Sequence, residues 1–461
     1  MHMSKTVAEA IWSLGFDDAA PLSQLELRDG PALFPSVFRV NTAASACIGA
    51  AELAAAEVRV ARGGRRQTVT VESERAEMSY RSEHYLTVNG EAPEGPNPRD
   101  YYQDRSGRWI QLHRVYPHHR AAMADYFGLP ADDREGLAGL IATRDAVDIE
   151  TELAGLGLPG YAYRTEAEWQ QHPQAEAIAA LPLLELEAIG DAPPLSLSPP
   201  AERILDGVRV LDLTRVIAGP VCGRTLAAHG AEVLRVHAPA LTENLSLLLD
   251  AGRGKRSTAL DLTSTEGRAQ FEALLADAHV IVQGFRPGGL EALGYGSEEL
   301  ARRYPGLAQV SLSAWSHAGP WAGRHGFDSL VQTASGIAAH GAAALGSDMP
   351  KPLPCQALDH SSGYLAAFSV CAALARRIRE GGTWRTRLSL AQTGRWFTGL
   401  GRVDNMQLSG PSREQIAAQM MPMDSAFGPL SVYRVVAAFG ESPVYWHTGP
   451  VPLDHDAPVW T

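Results

Sequence analysis

The sequence predicts an α/β protein, a parallel sheet covered by helices on both faces and joined to a smaller α/β unit. Two observations carry this. From Ile204 onward, apolar runs of buried-strand type alternate with helical stretches. Before them, a Pro/Ser-rich linker from Ala192 to Pro200 closes off a shorter strand-and-helix segment over residues ~96 to ~185.

The elements follow in order. A small-residue helix ends near Ala54–Ala55, and a β-type run follows at Thr68–Val71. The second unit carries the strand-like Trp109–Leu112, a helix through Phe127 and a charged helix from Thr165 to His172. After the linker, Val208–Leu213 reads as a buried strand, and Ala218–Gly219–Pro220 opens a helix to His229. Then come the strand Glu232–His237, a helix over Glu266–Ala276, the strand His279–Val282 and, later, a β-type run at Thr386–Ser389.

Composition narrows the function. At 461 residues the chain exceeds one compact core, so two or more domains are expected. Forty basic against 52 acidic residues give a formal charge of −12, which disfavours nonspecific binding to nucleic acid or anionic membrane. An anionic ligand must then be held by local basic clusters. No stretch approaches ~18 uninterrupted apolar residues, and MHMSKTVAEAIWSLGF lacks a basic-then-apolar leader pattern. Cys47, Cys222, Cys355 and Cys371 have no CxxC spacing and read as small buried hydrophobes in a reducing compartment, not as a metal site. A cytoplasmic protein is expected. No GxGxxG follows the first strand of the large unit, where Ala218–Gly219–Pro220 stands instead, and no GxSxG elbow, Walker loop or metal-spaced histidine cluster occurs.

A partial internal repeat is also legible. Arg39–Val40–Asn41–Thr42–Ala43 lines up with Ala357–Leu358–Asp359–His360–Ser361, and Gly63–Gly64 with Gly381–Gly382, at a constant offset of 318 positions. Each copy runs from a small-residue helix through a glycine pair into a β-type run.

Four ordered segments carry a resemblance. They are GVRVLDLTRVIAGPVCGRTLAAHGAEVLRV from Gly207, Arg253–Leu262 (RGKRSTALDL), Phe285–Gly288 (FRPG), and Gly319–Pro320 through Gly326–Phe327–Asp328 to Ser335–Gly336. The Asp359 segment follows them. Together they resemble the class III CoA transferases, the group of formyl-CoA and carnitine CoA-transferases and α-methylacyl-CoA racemases. The resemblance spans residues ~203 to ~400, with family-like tails at Phe427–Leu430 and Gly449–Leu453. Gly157–Leu158–Pro159 and Arg164–Thr165 to His172–Pro173 look like that family's small domain. The resemblance implies a Rossmann-like large domain (203–461), a small α/β domain (96–190) and a leading partial repeat (1–95), in permuted order. It also implies an interlocked homodimer acting on small acyl-CoA and carboxylic acid molecules, with coenzyme A as substrate and no permanently bound cofactor.

Asp359 stands where the family's catalytic aspartate would lie. Transfer of CoA between acids needs a carboxylate that attacks a thioester, carries the acyl group as a mixed anhydride and is regenerated. Placed just before a small-residue helix, its charged form would be favoured by free N–H groups and the helix dipole. The local sequence alone favours a helix cap, and the family-like motif around it turns the reading to catalysis. Asn41 in the first copy can cap a helix but is no carboxylate nucleophile. The CoA phosphates would fall to Arg253, Lys255, Arg256, Arg286 and Arg324, the adenine to Phe285, and the backbone of Val216, Ile217 and Ala218 would lie against CoA. His237–Ala238 and Gly284 depart from the family pattern. Phe327 stands where the racemases carry a histidine base, which disfavours α-racemisation by that route. His325 and His360 read as surface or core histidines. Alternatives are an acyl-CoA lyase or racemase-like enzyme of the same family, or a silent CoA-binding subunit.

Overall fold

The computed structural model describes residues 3–93, 100–199 and 202–461. The division expected between residues 95 and 96, and Pro200 of the linker, lie outside the described residues.

In chain order, strand β1 (Leu25–Arg28) precedes the long helix α1 (Val40–Ala61) and strand β2 (Val69–Glu72). An antiparallel sheet follows, made of β3 (Asp100–Gln103), β4 (Trp109–Leu112) and β5 (Gly160–Ala162). Between β4 and β5 lies helix α2 (Pro117–Phe127). Pro117 suits its first turn because the missing N–H would have no helical partner there. Gly128, with φ 67°, ends it in the left-handed conformation that glycine adopts without cost.

The large unit contains, among other elements, β6 (Leu184–Gly190), β7 (Arg209–Leu213), α3 (Ala218–Ala228), β8 (Glu232–His237), β9 (Lys255–Ala259), β10 (Val280–Gln283) and β11 (Ala308–Ser313). Helices α4 (Asp328–Ala334) and α5 (Ala357–Glu380) and strand β12 (Thr383–Ser389) follow, and strand β13 (Ala438–Phe439) pairs with β2.

Seven strands form one sheet in the order β9-β8-β7-β10-β11-β12-β6. All neighbours are parallel except β12 and β6. The chain leaves β7 toward β8 on one side and later returns to β10 on the other. Open α/β sheets bind ligands at the carboxyl ends of strands flanking such a reversal.

Strand β6 comes from the stretch read as the small unit, yet it forms the edge of the large sheet. Glu187 pairs with Arg385 at 2.9 Å and Glu185 with Arg387 at 3.4 Å, so cross-strand ion pairs match the alternation of LELEAIG.

One continuous core joins α1 to the large sheet, and the second unit has its own core around Ile110, Met123, Ile141 and Leu153. Helices α1 and α5 pack along each other and are buried over most of their length. Alanine and serine allow that approach. Gly363 is needed where α5 meets α3, because a Cβ there would lie 2.5 Å from the Ala218 carbonyl oxygen. Among the described residues, no helix is long and apolar enough to cross a membrane.

Candidate active site

At the carboxyl ends of β7, β10 and β11 lies an open cavity of about 390 Å³, within the size range of small-molecule sites. Leu213–Val216 after β7, Gly284–Pro287 after β10, Leu312–Ala314 after β11 and Arg324–Phe327 before α4 form its walls. Asp359 of α5 lies on it, and Tyr116, His118 and His119 reach it from the second unit. A crevice of about 180 Å³ shares Phe285, Arg286 and Pro287 with it.

Asp359 is the third residue of α5 and only 6% exposed. It is not the cap. Asp328, fully buried at the start of α4, accepts the N–H groups of Leu358 at 2.8 Å and Asp359 at 2.9 Å through Oδ2. Its Oδ1 accepts from Gln332 Nε2. Asp328 therefore does the capping from another helix, and those two N–H groups are already engaged.

The charge balance at Asp359 also differs from the sequence expectation. Burial pushes its carboxyl well above the ordinary range, and the neighbouring Asp328 and Glu83 push it further. Burial likewise raises Asp328 to about 6. A helix N-terminus offers only about 0.3–1 kcal/mol to a carboxylate, and here desolvation and like charges outweigh it. Glu83 is itself buried, which raises it, but His360 and then His84 together hold it below the usual value. His360 is fully buried, 3.2 Å from Glu83 and stacked on Tyr80, as a core histidine would be.

The β7–α3 turn is strained. Val216 has φ 72°, a left-handed conformation that costs a β-branched residue about 1–3 kcal/mol and clusters at functional sites. Val216 and Ala218 line the cavity, whereas Ile217 is buried in the core.

The expected cations divide. Arg286 and Arg324 line the cavity with Phe285 and Gly284. Among the described residues, Arg286 donates only to the Gly323 carbonyl, at 3.5 Å, and Arg324 lies 3.5 Å from Glu150 and over the Trp321 ring. The structure does not bring Arg253, Lys255 and Arg256 to this wall. Arg253 is 1% exposed, bonded to Asp250 at 2.6 Å and stacked over Trp446. Lys255 is buried against Asp212 at 2.7 Å and the Pro220 carbonyl at 2.8 Å. Arg256 binds Glu232 and the Val459 carbonyl. Buried charges need partners, and these three have them within the fold. His237 bonds the Ala238 carbonyl at 3.0 Å, and neither residue lies on this wall.

Among the cavity residues that escaped the sequence reading are Arg215, Tyr116, His118 and His119. Arg215 sits inside the quoted LTRVIAGP segment. The other three come from about a hundred residues upstream, and no local pattern ties them to Asp359. His325, read as surface or core, lies on the wall, and Phe327 stacks on His113 with ring centroids 3.7 Å apart. Among the described residues, no group of three or more His, Cys, Asp or Glu is placed to hold a metal.

A family model described as CoA-transferase family III matches residues 205–437. The chain belongs to this family. Among relatives, the probable fatty acyl-CoA transferase Rv3272 of Mycobacterium tuberculosis is 37% identical over 196 residues, covering 38% of this chain and 48% of that protein. The succinyl-CoA–D-citramalate CoA-transferase of Chloroflexus aurantiacus is 36% identical over 149 residues, covering 30% of this chain and 37% of that one. A crystal structure of Rv3272 aligns with 33% identity and a TM-score of 0.38, covering 43% of this chain and 58% of that one. The chain thus spans half or less of the length of these two relatives.

Proposed function

We propose that this chain transfers coenzyme A between carboxylic acids, with Asp359 as the covalent catalyst. The observation that supports this most is the place of Asp359: on the wall of the cavity at the sheet's carboxyl ends, inside the segment matched by the family model.

In the proposed cycle, an Asp359 carboxylate oxygen attacks the thioester carbonyl, and the C–S bond breaks to give CoA thiolate and an aspartyl–acyl anhydride. The thiolate attacks the aspartyl carbonyl, releasing the donor acid as its carboxylate and leaving an aspartyl-CoA thioester. The acceptor carboxylate then attacks that thioester, expelling the thiolate to form a second anhydride. Attack of the thiolate on the acceptor carbonyl gives the new acyl-CoA and restores Asp359. Only the ionised carboxyl can begin this, so transfer rises with pH as Asp359 loses its proton. Arg286 and Arg324, joined by Arg215, supply the cationic wall for the CoA phosphates. By their names the relatives handle fatty acyl and succinyl groups, so likeness alone does not choose the acid.

The test is Asp359→Ala, assayed for CoA exchange between acids and titrated with CoA by calorimetry. Transfer should fall at least about a thousandfold while CoA still binds. A variant retaining full transfer would refute the proposal.

A further inference from the structure

We propose that the stretches before and after the 192–200 linker are two half-units that trade strands within one polypeptide, and that together they build one complete site. A single chain then does the work of the homodimer that the family resemblance implies. The proposal rests on the reading of Asp359 as the site of transfer. Its ground is a reciprocal exchange. Each half holds a helix with a parallel pair of strands around it: β1 lies parallel to β2 across α1, and β11 parallel to β12 across α5. Helices α1 and α5 are the two copies of the 318-position repeat, and they pack on each other. On the far side of β2 and of β12 an antiparallel strand is added, and each comes from the opposite half. Strand β6, which follows the first unit, pairs with β12, Glu187 opposite Arg385. Strand β13, which follows the second unit, pairs with β2, Ala438 opposite Thr70. The orders β1-β2-β13 and β11-β12-β6 are one pattern used twice with the outer strands traded. Both β2 and β12 are paired on each side, so neither offers an edge to a second copy.

Trading an identical element ties two copies of a protein together. Here both partners lie in one chain, and the linker is built into the seam between them. The Leu195 N–H donates to the Arg377 carbonyl at 2.9 Å, and the Gly382 N–H donates to the Ala192 carbonyl at 2.8 Å, both at the end of α5. Arg62, just past α1, donates to the Ser198 carbonyl at 3.0 Å and the Ile204 carbonyl at 2.8 Å. A short linker holds joined modules at an effective concentration on the order of millimolar, so dilution does not part the halves.

The site draws on both halves. Asp359 belongs to the second, but the turn that follows it is held by the first. The Tyr80 hydroxyl lies 3.0 Å from Ser361 Oγ, the Tyr80 ring stacks on His360, and Glu83 meets His360 at 3.2 Å. Tyr116, His118 and His119 on the cavity wall also precede the linker. Gln174, fully buried, fixes the loop between Ala314 and Arg324 from the same side. Its amide donates to the Trp315 and Ala318 carbonyls at 2.6 Å and 2.8 Å and accepts the Trp321 N–H at 2.7 Å. At the matching point of the first half Asn41 stands in place of Asp359, beside Glu77, which accepts the Leu33 N–H at 2.7 Å. Two half-units thus share one working site.

Two cysteine pairs test the exchange in the full chain: Glu187→Cys with Arg385→Cys, and Thr70→Cys with Ala438→Cys. Opposed residues of an antiparallel pair have Cα atoms about 4.5–5.5 Å apart, within reach of a disulfide, and Cys47, Cys222, Cys355 and Cys371 are buried away from it. After oxidation each double variant should migrate on a non-reducing gel as one bridged chain. The unmodified protein should sediment as a single chain, with specific activity constant within about twofold over about a thousandfold dilution. Two chains joined through either cysteine pair would overturn the exchange within one chain. Sedimentation as two chains, or specific activity that falls away on dilution, would overturn the single-chain site. Should one pair fail to bridge, the other pair and the sedimentation decide. Bridging and mass are read without turnover, so a protein that bridges within one chain but transfers no CoA would count against the proposed function and leave the exchange standing.

Discussion

Replacing Asp328 with asparagine separates two roles that the structure gives this buried carboxylate. Its Oδ2 holds the N–H groups of Leu358 and Asp359 at 2.8 Å and 2.9 Å, and its Oδ1 accepts from Gln332. Asparagine keeps one oxygen for the two N–H groups but turns an amide toward the Gln332 amide, so one hydrogen bond is lost. The expected cost is about 0.5–1.5 kcal/mol of stability. The electrostatic effect runs the other way. Burial pushes the Asp359 carboxyl up, and Asp328 is one of the two acids that push it further. Removing its charge should move the acid limb of the transfer rate to lower pH. The assay is the pH dependence of kcat from pH 5 to 9, with urea unfolding at pH 7 as the stability control. An acid limb that stays in place, or moves upward, in a folded and active variant would refute the electrostatic coupling.

Further outcomes follow from the same geometry. Asp359→Asn should stabilise the fold increasingly as pH rises. The raised carboxyl favours folding below the ordinary carboxylate range and loses that contribution as pH climbs through its folded value; urea unfolding at pH 4 and pH 8 checks the sign. Lys255→Met, which strands Asp212 in the core, should cost about 3–5 kcal/mol. Arg286→Ala should instead leave stability nearly unchanged and weaken CoA more than a pantetheine fragment in calorimetry. Asn41 is not a helix cap: Arg39 precedes α1, and among the described residues the Asn41 amide makes only long contacts, to Glu77 at 3.4 Å and the Pro31 carbonyl at 3.5 Å. Asn41→Ala should therefore cost less than about 1 kcal/mol, with turnover intact and about one CoA bound per chain; two CoA sites would contradict this.

The large sheet was legible because its strands are continuous apolar runs between turn signals. Glu232–His237 forms as read, and Val208–Leu213 and His279–Val282 shift by a residue; Trp109–Leu112, in the smaller antiparallel sheet, also forms as read. The edge strand Leu184–Gly190 was not placed, since alternation marks a strand without naming its partner. Asp359 was singled out through the motif around it, but the direction in which its surroundings push its carboxyl was misjudged. A helix start is visible in sequence, whereas burial beside Asp328 and Glu83 arises only on folding. The RGKR cluster failed for the same reason. Lys255 meets Asp212 43 positions away, so a run of cations that looks like an anion site is consumed by the core. His118 and His119 reach the cavity from a separate unit through tertiary packing, and nothing local announces it.

The most direct test of the central claim is chemical trapping. Protein turning over an acyl-CoA is treated with hydroxylamine, digested and mapped by mass spectrometry. A hydroxamate on the peptide bearing Asp359, formed only when acyl-CoA is present, is the expected result, because hydroxylamine attacks an activated aspartyl carbonyl but not a free carboxylate. An acyl-CoA-dependent adduct on a different residue, or active protein that yields no adduct at Asp359, would contradict it.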